Sequence, residues 1–342
     1  MARSSSPDAT TRRGFLGGAA LALAGAGAAG LGGSVTGARA QAARPPVKFI
    51  EGAPGTAGAL WKPLIEQGVV QFPKDLSFEW INGTPGQVQL QLVAGAVNVS
   101  VYGALGLAEI AARGSDIVAF GPALNNHGRW IVRDNSPYKT PRDLIGKKIA
   151  TLSESSDTYR HAHLAGLLNG FDLRKDFEVV FGPPTANLAL FERGDVEAVI
   201  TIEPTATRLV ARGAREIARV GDLWHEATND PAPLFLIGIA GHRGWVEQNR
   251  ATARDLAELF VELHKKLKAQ PELIAAQAKA FGIPASEKAA IELMPKRLPD
   301  IYATDWNKAV FANIDRQIAE AVKAGILPAP PAKPVFFDAA AA

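Results

Sequence analysis

The densest group of residues able to do chemistry is Ser153-Glu154-Ser155-Ser156-Asp157-Thr158-Tyr159. Two loops share its character: Ala53-Pro54-Gly55-Thr56-Ala57-Gly58 and Asn82-Gly83-Thr84-Pro85-Gly86-Gln87. Tyr102 and Glu203 end apolar runs, and His127 follows Asn125 and Asn126. Small residues let a ligand approach the backbone. The side chains of Thr56, Thr84, Gln87, Ser155, Ser156, Thr158 and Tyr159 add directed hydrogen bonds. The same Ser and Thr residues can instead cap helices. Tyr102 needs a partner for its hydroxyl. Glu203, at the end of a buried strand, is costly unless paired; its partner is a ligand amine, Arg160 or Arg208.

This chemistry suits reversible capture rather than covalent work. The chain has no cysteine, which excludes disulfides, thiolate metal sites and thiol nucleophiles. It has no Gly-x-Ser-x-Gly elbow, P-loop or zinc signature. His161 and His163 are two residues apart, so they point to different faces of a helix. No catalytic residue, metal or cofactor is expected.

The elements that must position these groups alternate. Strands are expected at 47–51, 76–80, 97–102, 116–120, 130–132, 148–152, 177–181, 196–202, 216–220 and 234–240. Helices follow Gly55 and span 85–94, 105–112, 158–168, 185–193 and 204–211. This is an α/β pattern with largely parallel pairing. From Trp245 to Ala324 the pattern is helical, broken at Pro271, Pro284, Pro295 and Pro299, and the proline-rich stretch after Pro328 is extended.

The N-terminus carries a different signal. Thr11-Arg12-Arg13-Gly14-Phe15-Leu16 is a twin-arginine pattern, followed by uncharged small residues and Ala38-Arg39-Ala40. Residues 1–40 read as an export signal cleaved near Ala40, and a G-x-G-x-x-G match at Gly25, Gly27 and Gly30 lies inside it. The segment's four arginines against one aspartate carry the whole net charge of +3. The remainder is balanced, so nothing argues for nucleic acid or anionic lipid as a partner. Apolar residues make up 47% of the chain, enough for a substantial core.

One phrase is written twice. Residues 83–114 and 182–213 are identical at seven of 32 positions, including Gly83/Gly182, Pro85/Pro184, Gly95/Gly194 and Gly114/Gly213. Each copy reads as turn, helix, Gly-x-Val turn and buried strand. Two α/β lobes on one plan follow, with loops at the carboxyl ends of their strands lining a shared cleft.

In order, VKFIEGAPGTAGAL, LVAGAVNVSVYGAL, TPRDLIGKKIA, LFERGDVEAVITIEP and PLFLIGIAGHRGWVEQN resemble the nitrate/sulfonate/taurine family of periplasmic substrate-binding proteins of ABC transporters. The resemblance implies a type II periplasmic-binding-protein fold: two α/β lobes joined by two crossings, with a ligand cleft between them. It places lobe 1 at 41–128 and 239–335, lobe 2 at 129–238 and a tail at 336–342. The crossings would lie near His127-Gly128-Arg129 and Gly238-Ile239-Ala240. Ligand contacts would fall on Thr56, Thr84 to Gln87, Tyr102, Ser155 to Tyr159 and Glu203. Ile202 stands where many relatives carry an aromatic. The implied role is an exported, monomeric, periplasmic carrier. It delivers a sulfonate-, taurine- or carboxylate-like solute to an ABC permease and its ATPase, and touches the membrane only through the permease. Glu154, Asp157 and Glu203 would better suit a zwitterion, an amine or a neutral heterocycle. Other readings are a periplasmic enzyme on the same scaffold, desulfinase or pyrimidine-related, and a solute sensor docking on a receptor kinase.

Overall fold

The computed structural model describes residues 44–338. The export signal expected over residues 1–40 lies outside the described residues. The first half of the fold runs β1 (Val47–Gly52), α1 (Trp61–Glu66), β2 (Phe78–Gly83), α2 (Gln87–Val93), β3 (Val99–Tyr102), α3 (Ala104–Ala111) and β4 (Ile117–Asn125). The second runs β5 (Arg129–Val132), β6 (Lys148–Thr151), α4 (Asp157–Leu168), β7 (Glu178–Phe181), α5 (Pro184–Arg193), β8 (Ala198–Thr201), α6 (Thr205–Ala211), β9 (Arg215–Arg219) and α7 (Val220–Thr228). The chain then returns through β10 (Phe235–His242) to α8 (Arg243–Gln248), α9 (Arg250–Ala269), α10 (Glu272–Ala276), α11 (Lys288–Arg297) and α12 (Lys308–Lys323).

The strands form two five-stranded sheets, ordered β2-β1-β3-β10-β4 and β7-β6-β8-β5-β9. The two orders are the same plan. In each, three strands run parallel and one strand enters antiparallel between the third and the edge: β10 beside β3 and β4, β5 beside β8 and β9. That antiparallel strand comes last in one lobe and first in the other, which is what makes the chain cross twice. The repeated phrase supplies the middle strand of each sheet, β3 and β8. Its glycines do the same job in both copies: Gly95 and Gly194 follow α2 and α5 at φ 70° and 81°, and Gly114 and Gly213 at 87° and 89°. Side chains are strained at those angles and glycine is not.

The first sheet's strands are buried through fully inaccessible Phe49, Val99, Val118 and Ile239, and α9 seals one face with Leu256, Phe260 and Leu263. Three features differ from the sequence reading. Gly238-Ile239-Ala240 lie inside β10, hydrogen-bonded on both sides to β3 and β4. The return crossing therefore falls between α7 and β10, where Asn229 adopts φ 54° and Asn126 N donates to Leu234 O at 2.7 Å. Continuous pairing of an apolar run outweighs its glycine. Pro295 sits within α11 instead of ending it, held between fully buried Met294 and Leu298. Helix α7 was not expected, although Val220, Leu223 and Trp224 are spaced as one buried helical face. At the C-terminal end, Val335–Phe337 pairs with the free edge of β4 through Ala119.

Candidate functional site

The two lobes meet at the carboxyl ends of their parallel strands around a cavity of about 60 Å3. One wall comes from the β1 loop (Thr56, Ala57, Gly58), Trp61, the β2 loop (Gly83, Pro85), and Val88 and Gln89 of α2. The opposite wall comes from Asp157 and Thr158 at the start of α4 and Ile202 after β8. His127, in the first crossing, and Leu236 and Ile237 of β10 close the base.

The lobes are held shut by short-range contacts. Thr56 bridges Pro204, and Thr205 Oγ1 donates to Gly55 O at 3.0 Å. Ser153 Oγ donates to Pro85 O at 3.3 Å. At one flank, Arg160 of α4 donates to Glu109 of α3 at 2.8 and 2.9 Å. At the other, Arg208 of α6 donates twice to Glu287, and Arg297 of α11 donates to Glu203 at 2.8 Å and Glu216 at 2.7 Å. Asp157 of α4 also reaches across to the first lobe. Its Oδ2 accepts from Gly103 N, the residue before α3, at 2.9 Å and from Gln89 Nε2 at 3.2 Å. Burial pushes this carboxyl above its usual range, while Arg160, His161 and the Gly103 amide pull it back.

The sequence-derived site residues separate into three places. Thr56, His127 and Thr158 line the cavity. Thr56 spends its hydroxyl proton on Ala53 O at 2.7 Å. Tyr102, Ser155 and Tyr159 line a wider groove on the α3–α4 flank, of about 1010 Å3, together with Arg113, Arg160 and Arg174. The remaining residues serve the fold. Ser156 is the N-cap of α4: its Oγ accepts from Tyr159 N at 3.2 Å and donates to Ser153 O at 2.7 Å. Thr84 Oγ1 donates to Gln87 Oε1 at 2.6 Å, so these two satisfy each other. Glu203 is fully buried, and its partners are Arg297 and Thr207 rather than Arg160 or Arg208. Trp130 is fully buried against Phe171 and Phe177. The sequence reading did not propose Gln89, whereas Asp157 lies within the expected Ser155–Tyr159 loop and was expected to bring negative charge to the site. What the sequence leaves open is its local role, because an aspartate at the first position of a helix reads equally well as a helix-dipole charge.

His127 has one assignable tautomer. Its Nδ1 lies 2.9 Å from Asn125 O, which can only accept, so Nδ1 carries the proton and Nε2 keeps its lone pair. Burial lowers its pKa from 6.5 to about 4. The contribution to stability is therefore complete above pH 6.5 and is lost as pH falls toward 4, because only the unfolded chain takes up the proton. Between those limits this one histidine should cost about 1.4 kcal/mol per pH unit. Chemical denaturation at pH 6.5 and pH 5 should show a shallower loss in His127→Gln than in the parent. Equal slopes would refute the assignment.

Residues 141–282 match the NMT1-like family. An Escherichia coli (strain K12) protein described as an aliphatic sulfonates-binding protein is 27% identical over 212 residues, covering 60% of this chain. The match spans 63% of that relative, less than two thirds of its length. Among solved structures, the alkanesulfonate-binding protein SsuA from Xanthomonas axonopodis pv. citri, bound to MOPS, superposes with a TM-score of 0.69 at 19% identity, covering 87% of this chain and all of that one. The periplasmic aliphatic sulphonate binding protein from Escherichia coli gives 0.60 at 23% identity, with 84% and 96% covered. The desulfurization enzyme DszB shares the fold, at 0.55 and 15% identity over 84% of this chain and 95% of that one.

Proposed function

From an NMT1-like segment set in a fold shared with sulfonate-binding proteins, we propose that this chain is the solute-binding component of an ABC importer. It captures a small organic solute between its lobes and delivers it to a membrane permease coupled to an ATPase. The relatives are described as binding aliphatic sulfonates, and this reading takes the solute to be sulfonate-, taurine- or carboxylate-like. In this reading the protein works in the periplasm as a monomer, exported by the twin-arginine route and cleaved near Ala40. The observation that carries the proposal is the interlobe cavity, walled by strand ends and helix starts from both lobes. Such a site buries a solute by hinge closure and releases it by opening. Among the described residues no helix is long and apolar enough to cross a membrane.

A thermal-shift screen over amines, sulfonates, carboxylates and pyrimidines tests this. A true solute at a hundred times its Kd adds about 2.7 kcal/mol, which raises Tm by roughly 5 °C. Recovery of the compound unchanged is expected. Steady conversion would instead favour the enzyme reading that the DszB fold keeps open.

A further inference from the structure

The polarity of the cavity narrows the solute, on the premise that the protein is a solute carrier. No lysine or arginine lines the cavity, and its single charged side chain is Asp157. That residue is 2% exposed. Its Oδ2 is satisfied by Gly103 N and Gln89 Nε2, while Oδ1 makes no hydrogen bond and lies against Gly103 and Gly106 at the start of α3, so Asp157 offers the cavity its charge rather than a free acceptor atom. The nearest cation, Arg160, stands 3.8 Å from Oδ1 and is already committed to Glu109 and the Ser155 carbonyl. The second polar group at the base is His127, whose Nδ1–H is spent on Asn125 O and whose Nε2 is a bare acceptor. Gln89 has its carbonyl engaged by Gly86 N and its amide by Asp157.

The position of Asp157 is decisive. A helix start flanked by glycine is where an anionic group would be held by backbone N–H donors. Here the chain's own carboxylate fills that seat on α3. A Cβ built at Gly103 would lie 2.8 Å from Asp157 Oδ1, and one at Gly106 would lie 2.7 Å from it. There is no room for a second anion between the carboxylate and the helix. One brought up to the outer side of Asp157 would meet like charge in a poorly solvated space, where repulsion at contact distance weakens binding a hundredfold or more.

We infer that the solute enters this cavity as a nitrogen hydrogen-bond donor, an ammonium or N–H heterocycle with an apolar body, drawn by the charge of Asp157 and hydrogen-bonded by His127 Nε2. The apolar body lies against Trp61, Val88, Val101 and Ile202. A zwitterion binds by its ammonium end, and a plain alkanesulfonate is rejected.

Calorimetric titration of the full mature chain with butylamine, 4-aminopyrimidine and butanesulfonate tests this. The parent should bind at least one nitrogen probe ten times more tightly than butanesulfonate. Asp157→Asn keeps the shape and an acceptor for Gly103 N but removes the charge. It should lose at least tenfold for butylamine and gain affinity for butanesulfonate. A parent that binds butanesulfonate as tightly as the amines, with Asp157→Asn leaving that unchanged or weaker, overturns the inference and leaves the carrier reading standing. If none of the wider panel of solutes binds, the carrier reading itself fails. Should Asp157→Asn not fold, the parent's selectivity alone decides.

Discussion

Arg297→Ala should open the lobes and cost about a hundredfold in solute affinity. Arg297 projects from α11 and donates to Glu203 and Glu216, both in the second lobe, and to Thr207 Oγ1 at 3.0 Å. Glu203 is fully buried. With Arg297 gone it retains only Thr207, since Arg129 Nε stands 3.8 Å away and makes no hydrogen bond. Removing one partner of a buried pair costs about 3 kcal/mol, because the other charge is left without compensation. The pair spans the cleft, so the penalty falls on the closed state and not on either lobe alone. A drop in the closed fraction lowers apparent affinity in proportion, and each 1.4 kcal/mol is about tenfold. Titration together with small-angle scattering would check both parts. An unchanged affinity and an unchanged radius of gyration would show that the Glu203 cluster does not govern closure.

Gly103→Ala should also impair closure, for a steric reason. Gly103 has φ −101° and ψ 167°, angles open to any residue, so its backbone is not strained. The space around it is the constraint. A Cβ would stand 2.3 Å from Leu236 O and 2.7 Å from Asp157 Cγ. The carbonyl belongs to the neighbouring strand of the same sheet, so that clash strains the first lobe itself, and the second forces Asp157 to withdraw from the start of α3. Overpacking of this kind costs about 2 kcal/mol, equivalent to roughly thirtyfold in affinity. Gly114→Ala is the control: nothing lies within 4 Å of its Cβ, and only its positive φ resists. It should lower stability by about 1 kcal/mol and leave binding untouched. Equal affinity losses in the two variants would refute the steric account.

Much of the fold can be read locally. The offset-99 repeat finds the middle strand of each sheet, because a glycine at positive φ and a run of buried apolar residues are recorded within a few adjacent positions. Ser156 is a cap and Thr84 pairs with Gln87, two outcomes governed by neighbours three residues away. The same local rules mislead at Gly238–Ala240, where a glycine in an apolar run suggests a bend but pairing on both sides makes a strand.

By itself, then, the sequence determined the alternation of strands and helices, the doubling of an α/β unit and the loops that face the cleft. Each of these is a matter of periodicity, small residues and capping between near neighbours. Only the tertiary structure decided what those loops do. Asp157 meets Gly103 across 54 positions, and Glu203 meets Arg297 across 94. Such pairings depend on how two lobes close upon each other, and that geometry leaves no periodic trace in the order of residues along one chain.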